Sequence, residues 1–185
     1  YFYPDDTLFQ GEEDIEPSDN FNSSLNKIED DSATGVALEI PIPEDQETGV
    51  YGDGDNNRVN VRSPLVSEIE VFRGEEGPDI ADTSVTTDGA SNLIVSPTFN
   101  FEEAERAELT ITDESGSDIT DAVTKGDTDK FENDSSTIAV NLADEDAGTY
   151  TFTVEGEENL DFGDASNSVT VGLSTDTDLG VEVDS

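Results

Sequence analysis

Beyond Val66 the chain alternates apolar and polar residues in short runs. Ala107-Glu108-Leu109-Thr110-Ile111-Thr112 is one such run and Thr137-Ile138-Ala139-Val140-Asn141-Leu142 another. Thr149 to Glu155 is the cleanest, with Tyr150, Phe152 and Val154 on one face and threonines on the other. Ser168 to Leu173 repeats the period. Alternation rich in Thr, Val, Ile and Phe predicts half-buried strands. Ser67 to Phe72 predicts a first strand. Leu93 to Phe101 predicts another, with Leu93, Val95, Phe99 and Phe101 on one face. Pro97 lacks an N–H, so it requires a bulge or an edge position there. Asp113 to Asp118 reads as a turn joining two strands, and Glu102 to Arg106 as a single helical turn. No longer amphipathic helix is evident. Short strands separated by polar turns predict an all-β fold, a Greek-key sandwich.

Asp144-Glu145-Asp146-Ala147-Gly148-Thr149-Tyr150 lies between two strand patterns. Immunoglobulin-like sandwiches place such an Asp-x-Gly-x-Tyr segment at a corner, where the tyrosine hydroxyl bonds back to upstream backbone. Gly148 is expected to allow the tight turn. Asp45-Gln46-Glu47-Thr48-Gly49-Val50-Tyr51 has the same offsets, with Val36 to Ile40 before it and Val59 to Val61 after it. Leu8-Phe9-Gln10-Gly11-Glu12-Glu13 likewise matches Val71-Phe72-Arg73-Gly74-Glu75-Glu76. A two-copy repeat predicts tandem immunoglobulin-like domains. The first, residues 1–65, is a reduced β domain, because no clear strand falls between Glu13 and Ala33. It is either a smaller sandwich or borrows core from its neighbour. The second spans residues 66–176. Residues 177–185 begin a following domain or a linker.

Composition then narrows the class. Among 185 residues, 47 are acidic and 7 basic, for a net charge of −40. With 32% apolar residues this balance would ordinarily indicate disorder, but disorder does not keep apolar residues in strand register. In molar salt the Debye length falls to about 3 Å, nearly abolishing repulsion between surface charges. The carboxylate excess therefore reads as the surface of an extreme halophile's protein. His, Cys, Met and Trp are all absent. That removes an imidazole base, a thiolate nucleophile, Cys/His zinc sites and disulfides. Seven scattered cations form no basic stripe, so nucleic acid is not an expected partner. Paired carboxylates could make a glycosidase, yet close pairs arise by chance among so many acids, and serine has no histidine base. No enzymatic activity is expected. No stretch reaches the ~18 apolar residues of a membrane helix. The start at Tyr1, without a signal segment, is expected of a processed or excised chain.

Several segments resemble the haloarchaeal surface-layer (S-layer) glycoproteins. They are Asn100 to Ile111, Asp144 through Gly148, Tyr150 and Glu155-Gly156 to Leu160–Ala165, Val181 to Ser185, and Phe9 to Glu13. The resemblance covers most of 66–185 and, more loosely, 1–65. It implies a subunit of a two-dimensional lattice on the cell exterior, built of immunoglobulin-like domains, N-glycosylated and partnered by copies of itself. The family's Thr-rich stalk and apolar anchor are not in this sequence, so no membrane contact is expected from these residues. The alternative is an immunoglobulin-like adhesin, or an accessory binding module of a secreted halophilic protein. A carbohydrate-binding version would expose aromatics on a sheet face, whereas most of the 4 Tyr and 9 Phe fall on the apolar faces.

Two sequons mark candidate glycosylation sites, Asn22-Ser23-Ser24 and Asn133-Asp134-Ser135. Asp53 and Asp55 offer oxygen ligands at alternate positions, as do Asp144 and Asp146. An EF-hand starting at Asp53 would need Gly and Glu where Arg58 and Pro64 stand. No cofactor is required, but Ca2+ or Mg2+ bridging acidic surfaces would let like-charged copies meet. Arg58, Arg62 and Arg73 lie near the domain junction. They are expected to pair with carboxylates and to orient one domain on the other or join neighbouring subunits.

Overall fold

The computed structural model describes residues 1–126 and 128–175. The segment assigned to a following domain or linker, 177–185, and the resembling stretch Val181 to Ser185 lie outside the described residues. The first sheet contains Thr7–Phe9 (β1), Asn26–Glu29 (β2), Ser32–Ala37 (β3), Gly49–Gly52 (β4) and Arg58–Arg62 (β5), in the order β1-β5-β4-β2-β3. β1 is parallel to β5, and all other neighbours are antiparallel. β5 shows why a strand forms: Val59 and Val61 are buried while Arg58 and Arg62 stay exposed. β2 lies inside the segment expected to be strandless. None of its four residues is buried, so apolar periodicity could not reveal it. It is held by backbone ladders to β3 and β4. Asp30 and Asp31 turn the chain between β2 and β3 at φ 48° and 59°, a conformation short polar side chains tolerate. Leu8, Tyr51, Val59 and Val61 from the sheet meet Phe2, Leu25 and Ile42 from the loops in a first core.

The rest of the chain adds Val66–Arg73 (β6), Thr83–Thr86 (β7), Leu93–Phe99 (β8), Ala107–Thr112 (β9), Lys130–Phe131 (β10), Ile138–Val140 (β11), Gly148–Gly156 (β12) and Asn167–Ser174 (β13). A single-turn helix, Thr120–Val123 (α1), follows β9. One sheet has the order β10-β9-β12-β13-β7 and a second has β11-β8-β6. The buried positions of β9 and β12 alternate as predicted and join those of β6 and β8 in one core. The chain is thus nearly all β, with sheets packed on apolar faces. Pro97 occupies a locally open edge. It pairs with Ile69 of β6, but β11 covers β8 only from Leu93 to Val95. Glu102 to Arg106 forms a turn in which Phe101 O accepts the Ala104 and Glu105 N–H groups.

The two five-stranded sheets share one topology. Read as first, last, penultimate and two central strands, β1-β5-β4-β2-β3 repeats as β7-β13-β12-β9-β10 with the same directions. Register repeats as well. Leu8 faces Val61, which faces Gly49; Val85 faces Leu173, which faces Gly148. Each glycine precedes the corner tyrosine by two residues. The β1 equivalent is therefore β7, not the end of β6, which corrects the expected match of Leu8–Glu13 with Val71–Glu76. What those segments share is a left-handed glycine after a strand, at φ 84° in Gly11 and 77° in Gly74. The second five-stranded sheet is covered by β11-β8-β6. Among the described residues, loops alone cover the first.

Candidate functional site

Tyr51 and Tyr150 make the same corner bond. Tyr51 Oη donates to Glu47 O (2.5 Å) and Tyr150 Oη to Asp146 O (2.7 Å). Asp146 thereby works through its carbonyl. Both Asp144 and Asp146 are exposed. The Tyr150 hydroxyl is pushed up by burial and by the neighbouring acids Glu145 and Asp146.

Asn22 and Asp53, far apart in sequence, meet at the β4–β5 turn. Asp53 Oδ2 accepts from Asn57 Nδ2 (2.9 Å) and Asn22 N (3.1 Å), and its Oδ1 accepts from Asp55 N (3.0 Å). Asp55 Oδ2 accepts from Asn22 Nδ2 at 3.2 Å, and Ser23 Oγ donates to Asp53 O at 2.8 Å. These donors, the Asn57 amide first, hold the Asp53 carboxyl below the usual carboxylate range. The first sequon and the first candidate metal pair are therefore one cluster. Its carboxylates are turned onto protein N–H groups. Among the described residues no three acidic groups converge as a metal site would require.

Asn133 is built differently. It is exposed, in the loop between β10 and β11. Its Oδ1 accepts from Ser135 N (3.0 Å) and Ser136 Oγ (3.3 Å), while Nδ2 has no protein partner among the described residues. The acceptor nitrogen of a sequon is thus tethered at Asn22 and free at Asn133.

The cations pair within each unit rather than across the junction. Arg58 reaches Asp31 (3.4 Å) inside the first sheet. Arg62 Nε lies 2.8 Å from the Asn60 side-chain oxygen when that amide is oriented to donate to Gly49 O. Arg73 has no carboxylate within salt-bridge distance among the described residues. The expectation that these three arginines orient one domain on the other is therefore corrected. Neutral groups hold the junction. Asn100 Oδ1 accepts from Leu65 N (2.8 Å) and Asn100 Nδ2 donates to Ser63 O (3.1 Å), while within the second unit Asn167 Nδ2 fixes its first residue by donating to Val66 O (3.1 Å). Phe9 packs into the second core, and a Cβ on Gly11 would lie 2.5 Å from the Phe162 ring.

Sequence reading missed the main charged network. Arg106 bonds both oxygens of Glu157 (2.8 and 3.1 Å) and reaches Glu132 (3.2 Å); Lys130 bonds Glu157 at 2.6 Å. Lys130 and Arg106 hold the Glu157 carboxyl below its ordinary value, and Glu157 raises both cations. Glu105 accepts from the backbone N–H groups of Glu158, Asn159 and Leu160. Burial pushes Glu12 up, with Glu105 adding to the shift. No spacing rule foretells these contacts, because their partners come from different strands and loops.

Two apolar cores within sheets, beneath an exterior rich in carboxylates, define a nearly all-β, strongly anionic protein. The cell surface glycoprotein of Haloarcula marismortui is 36% identical over 203 aligned residues, covering 98% of this chain and 23% of that protein. The cell surface glycoprotein of Haloarcula japonica is 31% identical over 96% of this chain and 24% of its own length. That of Halobacterium salinarum is 36% identical, over 91% of this chain and 22% of its own length. No protein-family model matches the chain. The chain belongs to the haloarchaeal cell surface glycoproteins, and it spans about a quarter of the length of the curated relatives it matches. That kinship puts it on the cell exterior.

Proposed function

We propose that the chain is part of a subunit that assembles with copies of itself into a surface-layer lattice, maintaining cell shape and protecting the cell. The observation that carries this reading is similarity along nearly the whole chain to haloarchaeal cell surface glycoproteins. We read the two units as tandem immunoglobulin-like domains, the first reduced to its five-stranded sheet and covering loops. The role is structural, without catalysis. Asn22 and Asn133 carry N-linked glycans in this reading, and Ca2+ or Mg2+ bridges carboxylates such as Asp53, Asp55, Asp144 and Asp146 between copies. The binding-module alternative needs aromatics on an open sheet face. The most exposed aromatics, Tyr1 and Tyr3, precede the first strand instead, which favours a scaffold.

Electron cryotomography of cells in molar sodium chloride, with and without a chelator, tests the reading. An ordered array that loses order in chelator is the expected result. A surface without an array would overturn the lattice. An array indifferent to chelator would overturn the cation bridge alone.

A further inference from the structure

We propose that a groove on the covered side of the first sheet seats the first sugars of a glycan carried on Asn22. The proposal rests on the reading of Asn22 as glycosylated. Between the loops 17–25 and 38–40 lies a groove of about 450 Å3, with Asn22 among its lining residues. The second unit closes the same side of its five-stranded sheet with three strands; here loops do so incompletely.

The groove has the chemistry a pyranose needs. Phe2 and Phe21 lie 5.5 Å apart and tilted at 51°. Half-buried Phe21 and Leu38 and the 40% exposed Ile40 present the apolar wall, with the core residues Phe2 and Leu25 behind it. The C–H face of a sugar ring packs on such a wall. Ser18 also lines the groove; it is only 8% exposed, and its hydroxyl has no protein partner among the described residues. A buried hydroxyl without a partner is uncommon and costly, and turning Oγ, itself closed to solvent, toward the groove would let a sugar hydroxyl complete it.

Asn22 gives the glycan a fixed origin. An N-glycosidic bond replaces one of the two amide protons, and the other keeps the bond to Asp55. The Asn22 backbone is held by Asp53. A glycan on Asn22 therefore starts from a clamped side chain at the groove, whereas one on Asn133 starts from a free amide. The Asn22 glycan takes the place of the missing sheet layer.

The test compares native glycoprotein with Ser24→Ala and Ser135→Ala, all full chains made in the native host at molar salt. Ser24→Ala removes the first sequon without touching the Asn22–Asp53 contacts, and Ser135→Ala removes the second. Glycopeptide mass spectrometry reads occupancy, and amide exchange reads protection of 17–25 and 38–40. The expected result is an occupied Asn22, exchange in those loops at least tenfold faster in Ser24→Ala, and no change there in Ser135→Ala. An unmodified Asn22 beside a modified Asn133 overturns the groove proposal and leaves the glycoprotein reading intact; two unmodified asparagines overturn both. Equal loop exchange in all three proteins overturns the groove proposal. So does protection that survives Ser24→Ala and grows with protein concentration, which would assign the groove to a second copy.

Discussion

Tyr51 and Tyr150 carry the same bond in unequal surroundings. Tyr51 Oη also accepts from Gln46 Nε2 at 2.7 Å, in a fully buried setting. Removing its hydroxyl leaves the buried Gln46 Nε2 with Ala37 O alone and also frees the Glu47 carbonyl, whereas Tyr150→Phe frees only one carbonyl at an exposed corner. A net hydrogen bond contributes about 1 kcal/mol, and a stranded buried partner costs about 1–3 kcal/mol. Tyr150→Phe is therefore expected to lower stability by about 1 kcal/mol and Tyr51→Phe by about 2 kcal/mol, read by urea unfolding in molar salt. A second prediction concerns acid. Glu157, Asp53, Asp113 and Asp118 have lowered folded values, so their stabilisation is present above the unfolded carboxylate range and is lost as pH falls through those lowered values. Glu12 has a raised value. It opposes folding at neutral pH, and that opposition fades as pH falls through the raised value towards 4.5. Glu12→Gln is expected to stabilise the protein at pH 7 and to leave stability unchanged well below pH 4. Equal effects at both pH values would exclude titration of Glu12 as the cause.

Corner glycines separate conformation from contact at the level of elements. Gly49 has φ 133°, outside the range L side chains accept. Gly148 has no positive φ; a Cβ there would lie 2.8 Å from Glu114 Oε2, the movable end of a side chain. The tight turn expected to require Gly148 is thus a requirement of Gly49 only. Gly49→Ala is expected to cost about 1 kcal/mol or more and Gly148→Ala much less, measured as thermal midpoints of the two variants. Strands β9, β12 and β13 were legible because one face of each is buried and the other is polar. β2 was not, because its place depends on ladders to two neighbours. α1 was not, because one turn carries too few residues to show a period.

Charge acts at the scale of the whole molecule. The cation pairs are local and neutral contacts join the two units, so among the described residues no ion pair at the junction offsets the repulsion among the 47 carboxylates. As salt falls from 1 M to 0.01 M the Debye length grows from about 3 Å to about 30 Å, so repulsion spreads from neighbours to the entire surface. Unfolding is expected on dialysis below about 0.1 M sodium chloride, where screening reaches only about 10 Å, and circular dichroism would follow it. A fold unchanged in dilute buffer would show that its cores outweigh the repulsion unaided. Sequence alone determined the all-β class, the acidic excess, the corner tyrosines and the kinship, because each is written in local period, composition or contiguous motif. Tertiary structure alone decided that β1 corresponds to β7, that Asn22 and Asp53 form one cluster, and that Arg106 and Lys130 share Glu157. The physical reason is that such pairings depend on which distant strands become neighbours. That choice is made by burying whole faces together, and no local stretch of sequence contains it.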